Sequence, residues 1–337
     1  MDKIVGFLVA LFSLQVVLPI SGMNIQLSLI LLPVIIFLSI TAKLDKILLL
    51  VLSIFLSLFV IFISVFNGNY DLDFYVILFY TLASIWIYSL NVKKKLIIIY
   101  YSEWLFAING LIMVYEILTQ TKLIYGDETD VFIGFYRSSG LSVLSGAYLS
   151  VCYSVLAFYN RGNIFKTLFY VSIGLLAGRT GILLFFILLL LSADIKRFLQ
   201  ISLVFLFALF TSWSYLSRQN PVVYHALELA IKYKEAGRLN TSSSDSWLES
   251  WERINPDINY FSGIGNFGMR SASSKTDRLP FDVGVVRILH GGGLICLLIW
   301  FFMIRQVGKS YFRVLFLFNF KELALCLPVS ILFMLDD

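Results

Sequence analysis

Four arginines stand where a guanidinium group could hold an anion. Arg137 lies in GFYRSSG, Arg179 in AGRTG, Arg270 at the end of GIGNFGMR and Arg287 in DVGVVRILHGGG. Arginine binds phosphate through planar, bidentate hydrogen bonds and keeps its charge at any physiological pH. Because two of these arginines lie within apolar runs, we expect the anion to be a pyrophosphate group carried by a lipid.

Arg179 interrupts more than twenty otherwise apolar residues, in SIGLLAGRTGILLFFILLLLS. A charge in the centre of a membrane costs at least about 2.5 kcal/mol on insertion scales, so it needs a partner or a function. One interpretation places Arg179 in a water-accessible cavity within the protein, and the other lets it extend to the outer headgroups. The glycines on either side, Gly178 and Gly181, favour the cavity, because an arginine that reaches the headgroups does not need them.

Asp282 and His290 are the candidate catalytic residues. Asp282 precedes an apolar run and lies near cations, so it could act as a base toward a sugar hydroxyl. Asp282 is also a suitable N-cap for the helix that follows it. His290 lies two helical turns further on and could carry a proton, or it could be a core histidine where helices pack closely on the three glycines that follow it.

Trp247 and Trp251 are four residues apart and therefore share a face of a predicted short helix. Sugar rings stack on such aromatic pairs, but an amphipathic helix on a membrane surface has the same pattern. Glu249 and Arg253 are also candidate glycan contacts, although a salt bridge between residues four apart explains them equally well.

The composition shows which elements must position these residues. The chain has 337 residues, of which 59% are hydrophobic and 14% charged, with a mean hydropathy of +0.86. Such a chain cannot offer water enough polar surface, so we predict an all-α, polytopic membrane protein with about eleven transmembrane helices. The predicted spans are 4–20, 25–42, 47–66, 74–90, 96–118, 141–159, 165–178, 180–193, 198–217, 283–304 and 314–335.

The sequence predicts three regions: a membrane domain over 1–217, an extracytoplasmic loop with short helices over 218–282, and a second membrane domain over 283–337. Three cysteines at unrelated spacings and two distant histidines indicate no metal site, and no motif indicates a cofactor or nucleic acid.

The positive charges predict how the chain crosses the membrane. With a cytoplasmic N-terminus, the inner segments carry Lys3, Lys43, Lys46, Lys93, Lys94, Lys95, Arg161, Lys166, Lys196, Arg197, Arg305, Lys309 and Arg313, and the short outer segments carry Lys122, Arg137 and Arg179. This bias is lost if 165–193 is a single span. We therefore predict a helical hairpin that turns at Arg179 on the outer side.

The order of these motifs resembles the Wzy-type O-antigen and capsular polysaccharide polymerases, which share an architecture with the O-antigen ligases. The resemblance covers residues 130–325 and depends on GFYRSSGLSVLSGAYLSVCYSVLAF, LLAGRTGILLF, WERINPDINYFSGIGNFG, DVGVVRILHGGGLICLL and FNFKELAL in that order.

The resemblance implies a metal-independent, inverting glycosyltransferase at the outer face of the bacterial cytoplasmic membrane. It would transfer a glycan from undecaprenyl pyrophosphate onto a lipid-linked repeat unit, alongside a flippase and a chain-length regulator. Arg137 and Arg179 would bind the donor pyrophosphate, with Arg287 assisting them or binding the acceptor's pyrophosphate. Asp282 stands where the ligases typically have a histidine.

Two other functions stay open. An O-antigen ligase would transfer the glycan to lipid A core, and a lipid-linked oligosaccharide flippase would transport without chemistry. A proton-coupled transporter would use Glu103 and Glu116, but the sequence indicates no basic partner for either. We expect Glu116, near the outer end of its span, to neutralise Arg137 or Arg179.

Overall fold

The structure is a computed structural model. It describes residues 2–14, 16–20, 23–27, 30–31, 33–34, 47–67, 90, 92–119, 140–141, 147–192, 195–216, 233, 237, 261–263 and 284–307.

The described part of the chain is helical apart from one short β-hairpin, as the sequence predicted for its class. The helices are α1 (Asp2–Leu14), α2 (Ile47–Phe66), α3 (Val92–Thr119), α4 (Ala147–Tyr159), α5 (Ile164–Ala177), α6 (Arg179–Leu191), α7 (Ile195–Leu216) and α8 (Gly284–Val307). Strands β1 (Val17–Ile20) and β2 (Met23–Gln26) form the hairpin.

The hairpin corrects the first predicted span, 4–20. Helix α1 ends at Leu14, and β1 pairs antiparallel with β2 in a register that sets Ile20 opposite Met23. Two residues, Ser21 and Gly22, connect the pair in sequence, which is the commonest length of a hairpin connection. Pro19 lacks the N–H group that a continuing helix needs. The predicted span 25–42 is also corrected at its start, because residues 25 and 26 belong to β2.

The chain divides into two compact units. The first contains Met1–Leu31 and Val92–Asn240, and the second contains Leu32–Asn91 and Thr241–Asp337.

Helix α4 is the centre of the first unit. Every side chain from Tyr148 to Phe158 is at most 2% exposed. Helices α5 and α6 pack along it, and the Tyr148 hydroxyl donates to the Ser13 backbone oxygen at the end of α1 (2.6 Å). A helix that is apolar on all faces is stable only when protein or lipid surrounds it, and here protein does.

Helices α5 and α6 are separate elements that meet at Gly178, where the sequence predicted two short spans. The side chain of Asn163 caps α5 by accepting from the N–H groups of Phe165 and Lys166. After Gly178, α6 leads back to α7, whose Lys196 and Arg197 lie around one cavity with Arg161 of the α4–α5 turn. The chain therefore reverses at Gly178 and returns to the level at which α5 began.

In the second unit, α2 packs against α8, and α8 is broken at Gly293. Gly293 has φ 64° and ψ −167°, so the predicted span 283–304 is not one continuous helix. The turn formed by residues 261–263 packs at this break, where the Ile295 N–H group donates to the Phe261 backbone oxygen (3.4 Å).

By length and composition, one helix among the described residues, Lys93–Thr119, could cross a membrane. It corresponds to the predicted span 96–118. The predicted spans 74–90 and 314–335 lie outside the described residues, as does the predicted span 25–42 over most of its length.

Candidate functional site

Two polar side chains of α3 hold the backbone at the end of GFYRSSG, the stretch that contains Arg137. The Gly140 N–H group donates to Glu116 Oε2 (3.3 Å), and the Leu141 N–H group donates to Asn109 Oδ1 (2.6 Å). Gly140 has φ 58°, and a Cβ atom there would lie 2.5 Å from Asn109 Oδ1. Only glycine fits this close, left-handed position. The sequence places Arg137 three residues earlier.

Asn109 connects this segment to the central helix. It is fully buried, and its Nδ2 donates to the Tyr153 hydroxyl of α4 (3.0 Å). The same hydroxyl donates to the backbone oxygen of Phe106 (3.0 Å). A buried network whose donors and acceptors are satisfied in this way fixes its members in one geometry. The segment after Arg137 is thus held in register with α3 and α4.

One turn earlier on α4, Ser150 positions the start of α6. Its Oγ accepts a hydrogen bond from the Gly181 N–H group. A Cβ atom at residue 181 would run into the backbone carbonyl of Ser150, so glycine lets the two helices approach this closely. Arg179 is the first residue of α6, two positions before Gly181. Residues 140–141, which follow Arg137, therefore attach to α3, and the start of α6 attaches to α4; the Asn109–Tyr153 bond joins these two helices.

The electrostatics of this position favour an anion. The N-terminal end of a helix carries a partial positive charge, so a cationic side chain there adds to that charge instead of compensating it. Gly178 precedes α6 and has no side chain to cap it. An anion at the start of α6 would complement both the helix end and the arginine.

A second polar cluster lies on the first half of α3. Glu103 accepts hydrogen bonds from the Asn160 side-chain amide and from Lys166 Nζ, the latter at 3.1 Å. The Tyr170 hydroxyl donates to the Glu103 backbone oxygen (3.0 Å). Thirteen helical residues separate Glu103 from Glu116, which is about 20 Å. The ion pair with Lys166 corrects the prediction that Glu103 has no basic partner.

In the second unit, His290 lies beside the break of α8 and is 6% exposed. A Cβ atom on Gly263 would lie 2.5 Å from the Gly291 backbone oxygen, and Gly263 has φ 71°. The glycines after His290 thus pack against a turn of the predicted outer loop. The sequence offered another helix as the packing partner of these glycines, and the structure has this turn there instead.

The remaining predicted site residues divide into two groups. The structure describes the backbone of Arg179 and of Arg287, which lies in the first turn of α8. The other residues lie outside the described part: Arg137, Arg270, Asp282, Trp247, Trp251, Glu249 and Arg253. In the described ranges, no three His, Cys, Asp or Glu side chains gather into a metal-binding group.

No protein-family model, curated protein or solved structure matches this chain. The resemblance to polysaccharide polymerases therefore stays a prediction based on the order of the sequence motifs.

The partners of Asn109 and Glu116 were not predicted, because Tyr153 and Gly140 lie 44 and 24 residues away from them along the chain. An apolar helix that carries an asparagine and a glutamate was the available signal, because such side chains need partners inside the protein.

Proposed function

We propose that this protein is a membrane-embedded glycan polymerase. It transfers a polysaccharide chain from undecaprenyl pyrophosphate onto a lipid-linked repeat unit at the outer face of the bacterial cytoplasmic membrane. Arg137 and Arg179 bind the donor pyrophosphate, Arg287 and Arg270 assist, and Asp282 or His290 handles the acceptor proton.

The exposed face of α3 supports placement in a membrane. Seven large apolar residues follow one another there at spacings of three or four and are 44–76% exposed: Leu96, Tyr100, Trp104, Ile108, Leu111, Tyr115 and Leu118. The stripe is 22 residues long, or about 33 Å, close to the roughly 30 Å of a bilayer's hydrocarbon core. In water a contiguous apolar surface of this length would promote association.

The distribution of charge supports the proposed orientation. Glu103, Lys166 and the basic residues around the α4–α5 turn lie at one end of the first unit. Gly140 and the start of α6 lie at the other end. Cytoplasmic segments of membrane proteins carry the excess of lysine and arginine, which places the α4–α5 turn at the cytoplasmic side. We therefore assign the segments that contain Arg137 and Arg179 to the outer side.

The observation that carries the proposal is the shared anchoring of these two segments. Glu116 and Asn109 of α3 accept from the N–H groups of Gly140 and Leu141, Ser150 of α4 accepts from that of Gly181, and the Asn109–Tyr153 bond joins these two helices. A pyrophosphate that leaves an anomeric carbon gains negative charge. Guanidinium groups fixed beside it lower the barrier, most strongly where bulk water is excluded.

The test is Arg179→Ala in a bacterial strain whose long-chain glycan depends on this protein. Removing one preorganised donor to a developing anion typically lowers a rate by about 10²–10³-fold, so the chain-length ladder on a gel should collapse to short products. Arg179→Lys keeps the charge but loses the bidentate geometry, and should give an intermediate ladder. Lys93→Gln is the matched control, because it removes an exposed cation from the N-terminal end of α3.

Three outcomes contradict the proposal. A normal ladder in Arg179→Ala, with wild-type protein levels in the membrane, removes the pyrophosphate role of this residue. In a strain that lacks the protein, polymer that stays on undecaprenyl indicates a ligase. Repeat units that accumulate at the cytoplasmic face of that strain indicate a flippase.

A further inference from the structure

A basic cavity of about 440 Å³ lies in the first unit, between the α4–α5 turn and the first turns of α7. Its polar lining consists of Arg161, Lys196, Arg197 and Gln200, with Gly162 and Ile201 between them. Among the described residues that line it, none carries a negative charge. This volume is within the range of small-molecule sites, roughly 300–1,000 Å³.

Two features of the cavity favour the binding of an anion. Arg161 is held by its own turn: Nη1 donates to the Phe158 backbone oxygen (3.3 Å), and the guanidinium carbon lies 4.6 Å from the centre of the Phe158 ring. Its orientation therefore costs little to fix when a ligand binds. Gly162 is exposed, and a Cβ atom there would have no neighbour within 4 Å, so one wall is open to an incoming group.

Exposed apolar residues stand next to the lining residues of the cavity along the chain. Phe165 is 83% exposed, Ile195 is 61% and Leu199 is 59%. A soluble anion would gain nothing from these side chains. A lipid would gain from both features, because its headgroup would meet the cations while its acyl chains cover the apolar residues.

We propose that this cavity binds the phosphate headgroup of an anionic phospholipid in the cytoplasmic leaflet. Basic pockets between helices at this side of a membrane suit such headgroups, and a lysine or arginine near an anionic surface contributes about five-fold in affinity. The proposal rests on the membrane embedding in the proposed function, but not on its glycan chemistry. The cavity and Arg179 lie at opposite ends of α5, about 20 Å apart.

The experiment titrates phosphatidylglycerol into the full chain purified in a neutral detergent, with bound lipid counted by native mass spectrometry. Phosphatidylcholine and inorganic phosphate are the comparison ligands. The double variant Lys196→Gln, Arg197→Gln should bind phosphatidylglycerol about 25-fold more weakly than the wild type. Gly162→Trp should also weaken binding, since it fills the open wall without changing the charge. Lys93→Gln should bind like the wild type.

Equal binding of phosphatidylcholine and phosphatidylglycerol would overturn the proposal, as would equal losses in the double variant and in Lys93→Gln. Phosphate that binds and displaces the lipid at similar concentration would assign the cavity to a soluble anion instead. No glycan is present in this titration, so its failure leaves the polymerase proposal intact. Conversely, a normal ladder in Arg179→Ala would contradict the polymerase proposal and leave the lipid-binding proposal intact.

Discussion

The break in α8 allows a quantitative test of the second unit through Gly293→Ala. Gly293 has φ 64° and ψ −167°, a backbone region that is essentially restricted to glycine and costs about 1–3 kcal/mol for a residue with a Cβ atom. That Cβ atom would lie 2.5 Å from the Phe261 backbone oxygen and 2.6 Å from the Gly263 nitrogen. Ordinary contacts begin at 3.4 Å, so the turn must retreat by 0.9 Å (3.4 − 2.5).

Both neighbours are backbone atoms, so no rotamer change can relieve the clash. Overpacking of this kind costs about 1–3 kcal/mol. With the conformational cost, the free energy of unfolding should fall by about 2–6 kcal/mol. It can be measured on the full chain in mixed micelles by titrating a denaturing detergent and following tryptophan fluorescence.

Gly237→Ala is the matched control. Gly237 has nearly the same φ, 63°, and its N–H group donates to the Tyr233 backbone oxygen (3.0 Å), but a Cβ atom there meets nothing within 4 Å. This variant carries only the conformational cost. Equal losses of stability in the two alanine variants would show that the 261–263 turn does not pack on the break, and the description of the second unit would be wrong.

Two further substitutions test the first unit. Gly181→Ala should push α6 away from the Ser150 carbonyl and shorten the glycan ladder, whereas Gly162→Ala, in open space, should leave both stability and ladder unchanged; equal behaviour of the two would refute the close helix contact. Tyr153→Phe removes the hydroxyl that accepts from the buried Asn109 amide and leaves that amide its longer contact with Met113 Sδ (3.5 Å), so it should lower the free energy of unfolding by about 1–3 kcal/mol, as measured by the same detergent titration. A stability equal to that of the wild type would show that this hydroxyl does not hold the network.

Helix boundaries were largely predictable, because the lengths of apolar runs determine them. Helix α2 has the predicted bounds, α3 extends a few residues beyond 96–118, and the interruption near Arg179 is present. For the residues around Arg179, the unequal distribution of lysine and arginine between the two sides of the membrane predicted two helices instead of one.

Two local features differ from the prediction for identifiable reasons. Residues 17–20 end one predicted span and residues 25–26 begin the next, and periodicity does not distinguish a short apolar strand from a helix. The three glycines after His290 predicted close packing, but the sequence did not indicate that the partner is the turn at Gly263.

The polar connections between helices were beyond prediction from one sequence. Asn109 bonds Tyr153 across 44 residues, and Glu103 pairs with Lys166 across 63. Composition and spacing showed that these side chains need partners but not which ones, because a partner is determined only when the helices pack. The roles of Asp282 and His290 stay predictions for the same reason.

The bond between the Tyr148 hydroxyl and the Ser13 carbonyl has a consequence for biosynthesis. The two residues are 135 positions apart. At about 5–20 residues per second, a ribosome needs roughly 7–27 s to travel from one to the other. The backbone oxygen at the end of α1 therefore lacks this hydrogen bond throughout that interval.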